Sequence, residues 1–82
     1  LKNKYYYKKE GENLVFIRCK KYNQEGYITK ITNKKENEYI YEIFSSHSVL
    51  KYKEYYRNEE DEFVFIKREK YNLDGTLIGI FM

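Results

Sequence analysis

Apolar and polar residues alternate with a period of two along much of this chain. In residues 14–22, "LVFIRCKKY", Val15, Ile17 and Cys19 fall on one face of an extended strand and Leu14, Phe16, Arg18, Lys20 and Tyr22 on the other, because successive strand side chains point to opposite sides. Residues 63–71, "FVFIKREKY", repeat the arrangement, with Val64 and Ile66 opposite Phe65, Lys67 and Glu69. Both segments begin apolar on both faces and become amphipathic. Residues 49–56 set Leu50, Tyr52 and Tyr56 against Val49, Lys51, Lys53 and Tyr55. β-Branched and aromatic residues dominate each segment, and a short helix within 45–56 is the only helical element the pattern admits.

Turn chemistry separates these runs. "NQEG" ends at Gly26 and "NLDG" at Gly75, where a positive φ is easy, and Asn23 and Asn72 can close the turns with their side chains. Together the signals predict strands near 4–8, 13–22, 27–33, 38–45, 48–57, 62–71 and 76–82. Short loops between them imply an all-β antiparallel meander of about seven strands, either a curled sheet or a small barrel. Val15, Ile17, Val64 and Ile66 are its expected core. Replacing Ile66 with Ala in a well-packed core would cost about 2–5 kcal/mol.

Part of the chain is written twice. Residues 5–31 and 54–80, offset by 49, are identical at 11 of 27 positions. The shared residues include Tyr6-Tyr7 and Tyr55-Tyr56, 15–17 and 64–66 (Val-Phe-Ile in both), 21–23 and 70–72 (Lys-Tyr-Asn in both), and the turn glycines Gly26 and Gly75. A fainter unit lies between: "KKEGENLVFI", "KKENEYIYEI" and "RNEEDEFVFI" each set a charged turn before an apolar strand. A lone hairpin cannot bury its apolar face, whereas copies set edge to edge build a continuous sheet, so the chain reads as one domain, 1–82, of duplicated hairpins.

Length and composition narrow the class further. Eighty-two residues leave room for a small core only. Eleven Tyr, with no Pro and no Trp, suit a sheet face that is only partly covered. The formal net charge of +3 hides an asymmetry, since residues 5–31 hold six Lys/Arg against three Glu and residues 54–80 hold four against seven Asp/Glu. A single Cys leaves no internal disulfide framework, and no apolar run is long enough to span a membrane. The first residue is Leu1 rather than Met, which suggests processing or trimming; a cytoplasmic location is favoured, with export implied if a signal has been removed.

Catalytic and metal chemistry find little footing. Cys19 and His47 could form a nucleophile and base, but Cys19 shares its expected face with Val15 and Ile17, and His47 sits in the polar loop "SSHS". One His and one Cys do not complete a structural zinc site. The acidic run "NEEDE" at 58–62 lacks the spacing and turn Gly of a calcium loop, and Gly26 and Gly75 stand alone, so no phosphate-cradling loop exists. No cofactor is expected, and the chain is not expected to be an enzyme.

The pattern of paired Tyr, polar turn, apolar strand, Tyr-Asn and acidic-Gly resembles bacterial β-hairpin repeat proteins of the MORN-variant type, often described as antitoxin-like components. It is carried here by Tyr6-Tyr7, residues 14–17, Tyr22-Asn23 and Glu25-Gly26, and again by Tyr55-Tyr56, residues 63–66, Tyr71-Asn72 and Asp74-Gly75. That resemblance implies a binding or scaffolding module. The residues point the same way, because a meander leaves two edge strands and the last, "TLIGIFM", is apolar and unguarded by Lys. The expected function is protein–protein interaction or self-association through a sheet edge, with Leu77, Ile78, Ile80 and Phe81 at that edge and Tyr5, Tyr7, Lys20, Lys21 and Tyr22 as a second partner patch. The alternative is nucleic-acid binding by Lys interleaved with Tyr at 2–9, 18–22 and 50–57.

Overall fold

Alternation becomes strand almost everywhere it occurs. The computed structural model describes residues 3–82, which form β1 (Asn3–Glu10), β2 (Asn13–Tyr22), β3 (Ile28–Lys35), β4 (Glu38–Phe44), β5 (Leu50–Glu59), β6 (Glu62–Tyr71) and β7 (Leu77–Phe81). Leu1 and Lys2, where the first Lys/Tyr stretch begins, lie outside the described residues. All seven strands pair antiparallel in chain order as one meander sheet, which is not closed into a barrel. Residues 45–56 hold no helix; β5 starts at Leu50. Among the described residues no helix is long and apolar enough to cross a membrane.

Two kinds of turn join the strands. Gly11-Glu12, Glu36-Asn37 and Glu60-Asp61 are two-residue hairpin loops closed by the pairs Glu10 with Asn13, Lys35 with Glu38, and Glu59 with Glu62. Such loops need positive φ, found at Gly11 (63°), Glu36 (46°), Glu60 (50°) and Asp61 (66°). The three longer turns close alike: the backbone amide of Asn23 donates to the Tyr27 carbonyl at 2.9 Å, that of Ser45 to the Val49 carbonyl at 2.8 Å and that of Asn72 to the Thr76 carbonyl at 2.8 Å. Gly26 and Gly75 both sit at φ 90°.

Pairing shifts by one residue at positions 49 apart. Between β1 and β2, Tyr6 faces Arg18 and Tyr7 faces Phe16, which leaves Ile17 as an extra residue; between β5 and β6, Tyr55 faces Lys67 and Tyr56 faces Phe65, which leaves Ile66 extra. Thr29 on β3, Lys51 on β5 and Ile78 on β7 are extra in the same way, and the shift at Lys51 puts Leu50 on the face opposite Tyr52 and Tyr56. A bulge breaks the period of two, so the face assignment from simple alternation fails at these points. Val15 stands opposite Lys8 on the face of Arg18, Lys20 and Tyr22, while Leu14 and Phe16 share a face with Cys19.

Directly opposed residues lie on the same face, and the register sorts the sheet into two surfaces. One, here the aromatic face, carries Phe16 in ring contact with both Tyr5 and Tyr7, and a second group of Tyr39, Tyr41, Tyr56, Phe63 and Phe65. The other, the charged face, carries Tyr6 between Arg18 and Lys20, and Tyr55 and Tyr71 around Glu69.

Among the described residues nothing packs on either surface. The described residues form one curled sheet whose Cα trace spans 42 × 33 × 17 Å, and no apolar side chain among them is fully buried. The expected core of Val15, Ile17, Val64 and Ile66 therefore does not form: the first two and Ile66 are half-buried, and Val64 is exposed. A sheet with no second layer has no interior for them to enter. Among the described residues the one buried polar side chain is that of Glu54, at 9% exposure.

Candidate interaction surface at the C-terminal sheet edge

The two ends of the sheet differ in chemistry. β1 presents Lys4, Lys8 and Lys9, a common way of keeping an edge strand from pairing with other chains. β7 reads Leu-Ile-Gly-Ile-Phe with no charge, and Leu77, Ile78, Ile80 and Phe81 are each about half exposed, between 47% and 52%. β7 pairs only with residues 68–71 of β6, so residues 62–67 have no strand on their outer side among the described residues. Phe63, Val64 and Phe65 are exposed there, and with Met82 they extend the apolar edge. Alternation alone assigned Val64 to a core and so hid this extension; the signal that marks it is that β7 is too short to cover β6.

Local register shapes that edge. Ile80 stands opposite Glu69 on the charged face, and Phe81 opposite Arg68 and Gly79 opposite Lys70 on the aromatic face. The Phe81 ring leans over Gly79, with its Cζ 3.3 Å from the point where a Cβ would stand. Ile78 is the bulged residue, which places Leu77 on the charged face with Ile80.

Residues expected to form one patch near the N-terminus fall on both faces. Tyr5 and Tyr7, 56% and 52% exposed, and Lys21 lie on the aromatic face, where the Asn3 amide donates to the Tyr5 hydroxyl at 3.2 Å. Lys20 and Tyr22 lie on the charged face, with Lys20 over Tyr6 and Lys4 over Tyr22. Lys4, Arg18 and Lys20 thus hold the charged face positive at its N-terminal end.

At the other end, acids replace those cations. Glu69, 49 residues after Lys20, accepts the Tyr55 hydroxyl at 2.8 Å and the Tyr71 hydroxyl at 2.9 Å, with Lys67 Nζ at 3.5 Å. Burial alone would raise the Glu69 pKa, but the two hydroxyls and Lys67 outweigh it and hold the carboxyl below its ordinary value. Tyr55 is pushed up to about 12, first by burial and then by its bond to Glu69. Tyr71 is raised for the same two reasons. On the aromatic face, burial is the first cause of the raised Tyr41 and Tyr56, and nearby Glu54 adds to it.

The remaining candidates stand apart from this edge. Cys19 lies on the aromatic face opposite Tyr5 and Thr32, and His47 lies in the β4–β5 loop with its ring 5.3 Å from that of Tyr27 and its Nδ1 against the Ser46 hydroxyl. Among the described residues no group of three His, Cys, Asp or Glu could hold a metal ion. An open cleft of about 940 Å³ separates the start of β2 from the β3–β4 turn, and Lys8, Glu10, Lys35 and Glu38 are among the residues that line it. The chain matches no known family model, no curated protein and no solved structure.

Proposed function

We propose that this chain is a non-catalytic β-hairpin-repeat module that binds or assembles by protein–protein interaction through its C-terminal sheet edge. The observation that carries the reading is the contrast between a lysine-guarded β1 and an uncharged, half-exposed β7. Edge strands keep a row of unpaired backbone groups, and an extended segment added there gains main-chain hydrogen bonds and apolar burial together. Support also comes from β3, which holds to β2 the register that β7 holds to β6 and whose outer edge is covered by β4.

The reading is tested by adding a peptide with the β4 sequence, EYIYEIF, to isotope-labelled protein. Shifts confined to the amides of β7 and the start of β6 are the expected result. If neither that peptide nor a second copy of the protein perturbs those amides, the edge reading fails. The second reading, single-stranded nucleic acid on the charged face, is favoured by Lys4, Arg18 and Lys20 grouped around Tyr6 and Tyr22. A labelled oligonucleotide that binds and is released steeply by salt would replace the first reading with the second.

A further inference from the structure

The partner of the β7 edge follows from its register, taking the edge reading above as given. Among its described residues a second copy offers two edge strands, β1 and β7. Setting β1 against β7 brings Lys4, Lys8 or Lys9 beside Leu77, Ile80 and Phe81, with no carboxylate on β7 to receive them. It also either runs parallel or turns one copy's faces over, and in both cases leaves further edges open to growth. A two-fold axis normal to the sheet sets β7 against β7 antiparallel, as every internal pair is set, and closes after two copies.

Such an axis keeps each face on its own side, so opposed residues must share a face. Centred on Gly79, it would oppose Leu77 to Phe81, which the bulge at Ile78 puts on different faces. Centred on Ile80, it opposes Ile80 to its twin on the charged face and each Gly79 to the other copy's Phe81 on the aromatic face. Gly79 brings no side chain of its own against the incoming ring, which meets the Phe81 ring already leaning over that glycine. We propose that two copies of this chain pair through β7 about a two-fold axis at Ile80, joining two seven-stranded sheets into one.

One strand pair is a small contact, so the dimer forms and dissociates with concentration. Sedimentation over a concentration series should show monomer and dimer without larger species, and Ile80→Lys should weaken the dimer by about ten-fold or more. Single-cysteine variants on a Cys19→Ser background read the register directly. Ile80→Cys should cross-link to itself under mild oxidation, while Leu77→Cys, about 20 Å from its twin at strand spacing, should not. Cross-links between Ile80→Cys and Lys4→Cys, or open-ended oligomers, would overturn the two-fold pairing and leave the edge reading intact. A protein that stays monomeric at the highest concentration would overturn self-pairing outright, and the β4 peptide then decides the edge reading separately.

Discussion

Arg68 of β6 grips the carboxylate of Glu54 directly across on β5, with Nε 2.8 Å and Nη2 2.5 Å from the same oxygen. Tyr56 donates to the other oxygen at 3.3 Å, so the most buried charge in the sheet is held from two sides. Arg68→Ala strands that carboxylate and should destabilise by about 1–3 kcal/mol, less than a fully buried pair because Arg68 is half exposed. Replacing both residues with Met should recover most of the loss. Urea unfolding of the double-mutant cycle measures this; equal losses in the single and double variants would mean the pair contributes little.

The Tyr55–Glu69 bond makes stability depend on pH at both extremes. Glu69 has a lowered folded pKa, so its contribution is present above the ordinary value of 4.5 and is lost as pH falls through the lower folded one. Tyr55 has a raised folded pKa, so its contribution is complete below pH 10 and is lost between pH 10 and about 12. Tyr55→Phe should flatten the alkaline fall and shift the acid fall upward. Ultraviolet titration of tyrosinate together with unfolding at stepped pH checks both limbs.

Lys20 occupies the place on β2 that Glu69 occupies on β6, between the matching tyrosines Tyr6 and Tyr22. Lys20→Glu should therefore recreate the acidic hub, with Arg18 in the role of Lys67. The expected gain is about 1 kcal/mol, the size of a partly exposed charged hydrogen bond. A loss in thermal unfolding would show that the basic end of the face resists the exchange.

Glu60 and Asp61 both hold positive φ in the β5–β6 turn. That conformation costs about 1–2 kcal/mol for each L-residue without a matching preference, and Asn-Gly adopts it readily. Glu60→Asn with Asp61→Gly should stabilise the protein by about 1–2 kcal/mol without altering the edge, as read by denaturant midpoint.

Strand number, order and most boundaries were legible because alternation, aromatic content and Asn/Gly turns all act locally. The bulges at Ile17, Thr29, Lys51, Ile66 and Ile78 were not, since an extra residue in a strand leaves composition unchanged while moving every side chain beyond it to the other face. For that reason Leu77, Ile78, Ile80 and Phe81 could be placed at an edge from sequence, whereas Lys20 and Tyr22 could not be separated from Tyr5 and Tyr7. The absent core has a measurable consequence. Ile66→Ala, expected to cost about 2–5 kcal/mol in a packed interior, should cost only about 1 kcal/mol at a half-buried bulge.

Among the described residues each strand touches only the strands before and after it in the chain. Contacts so local close few long loops, so folding should be fast for an all-β protein. They also make the molecule a row of nearest neighbours, in which stability accumulates hairpin by hairpin and order spreads from any point. β7, with one neighbour and five residues, should fray first, exposing the amides of β6 to solvent exchange before those of the central strands. A chain lengthened by one more hairpin would gain cooperativity without any change of architecture.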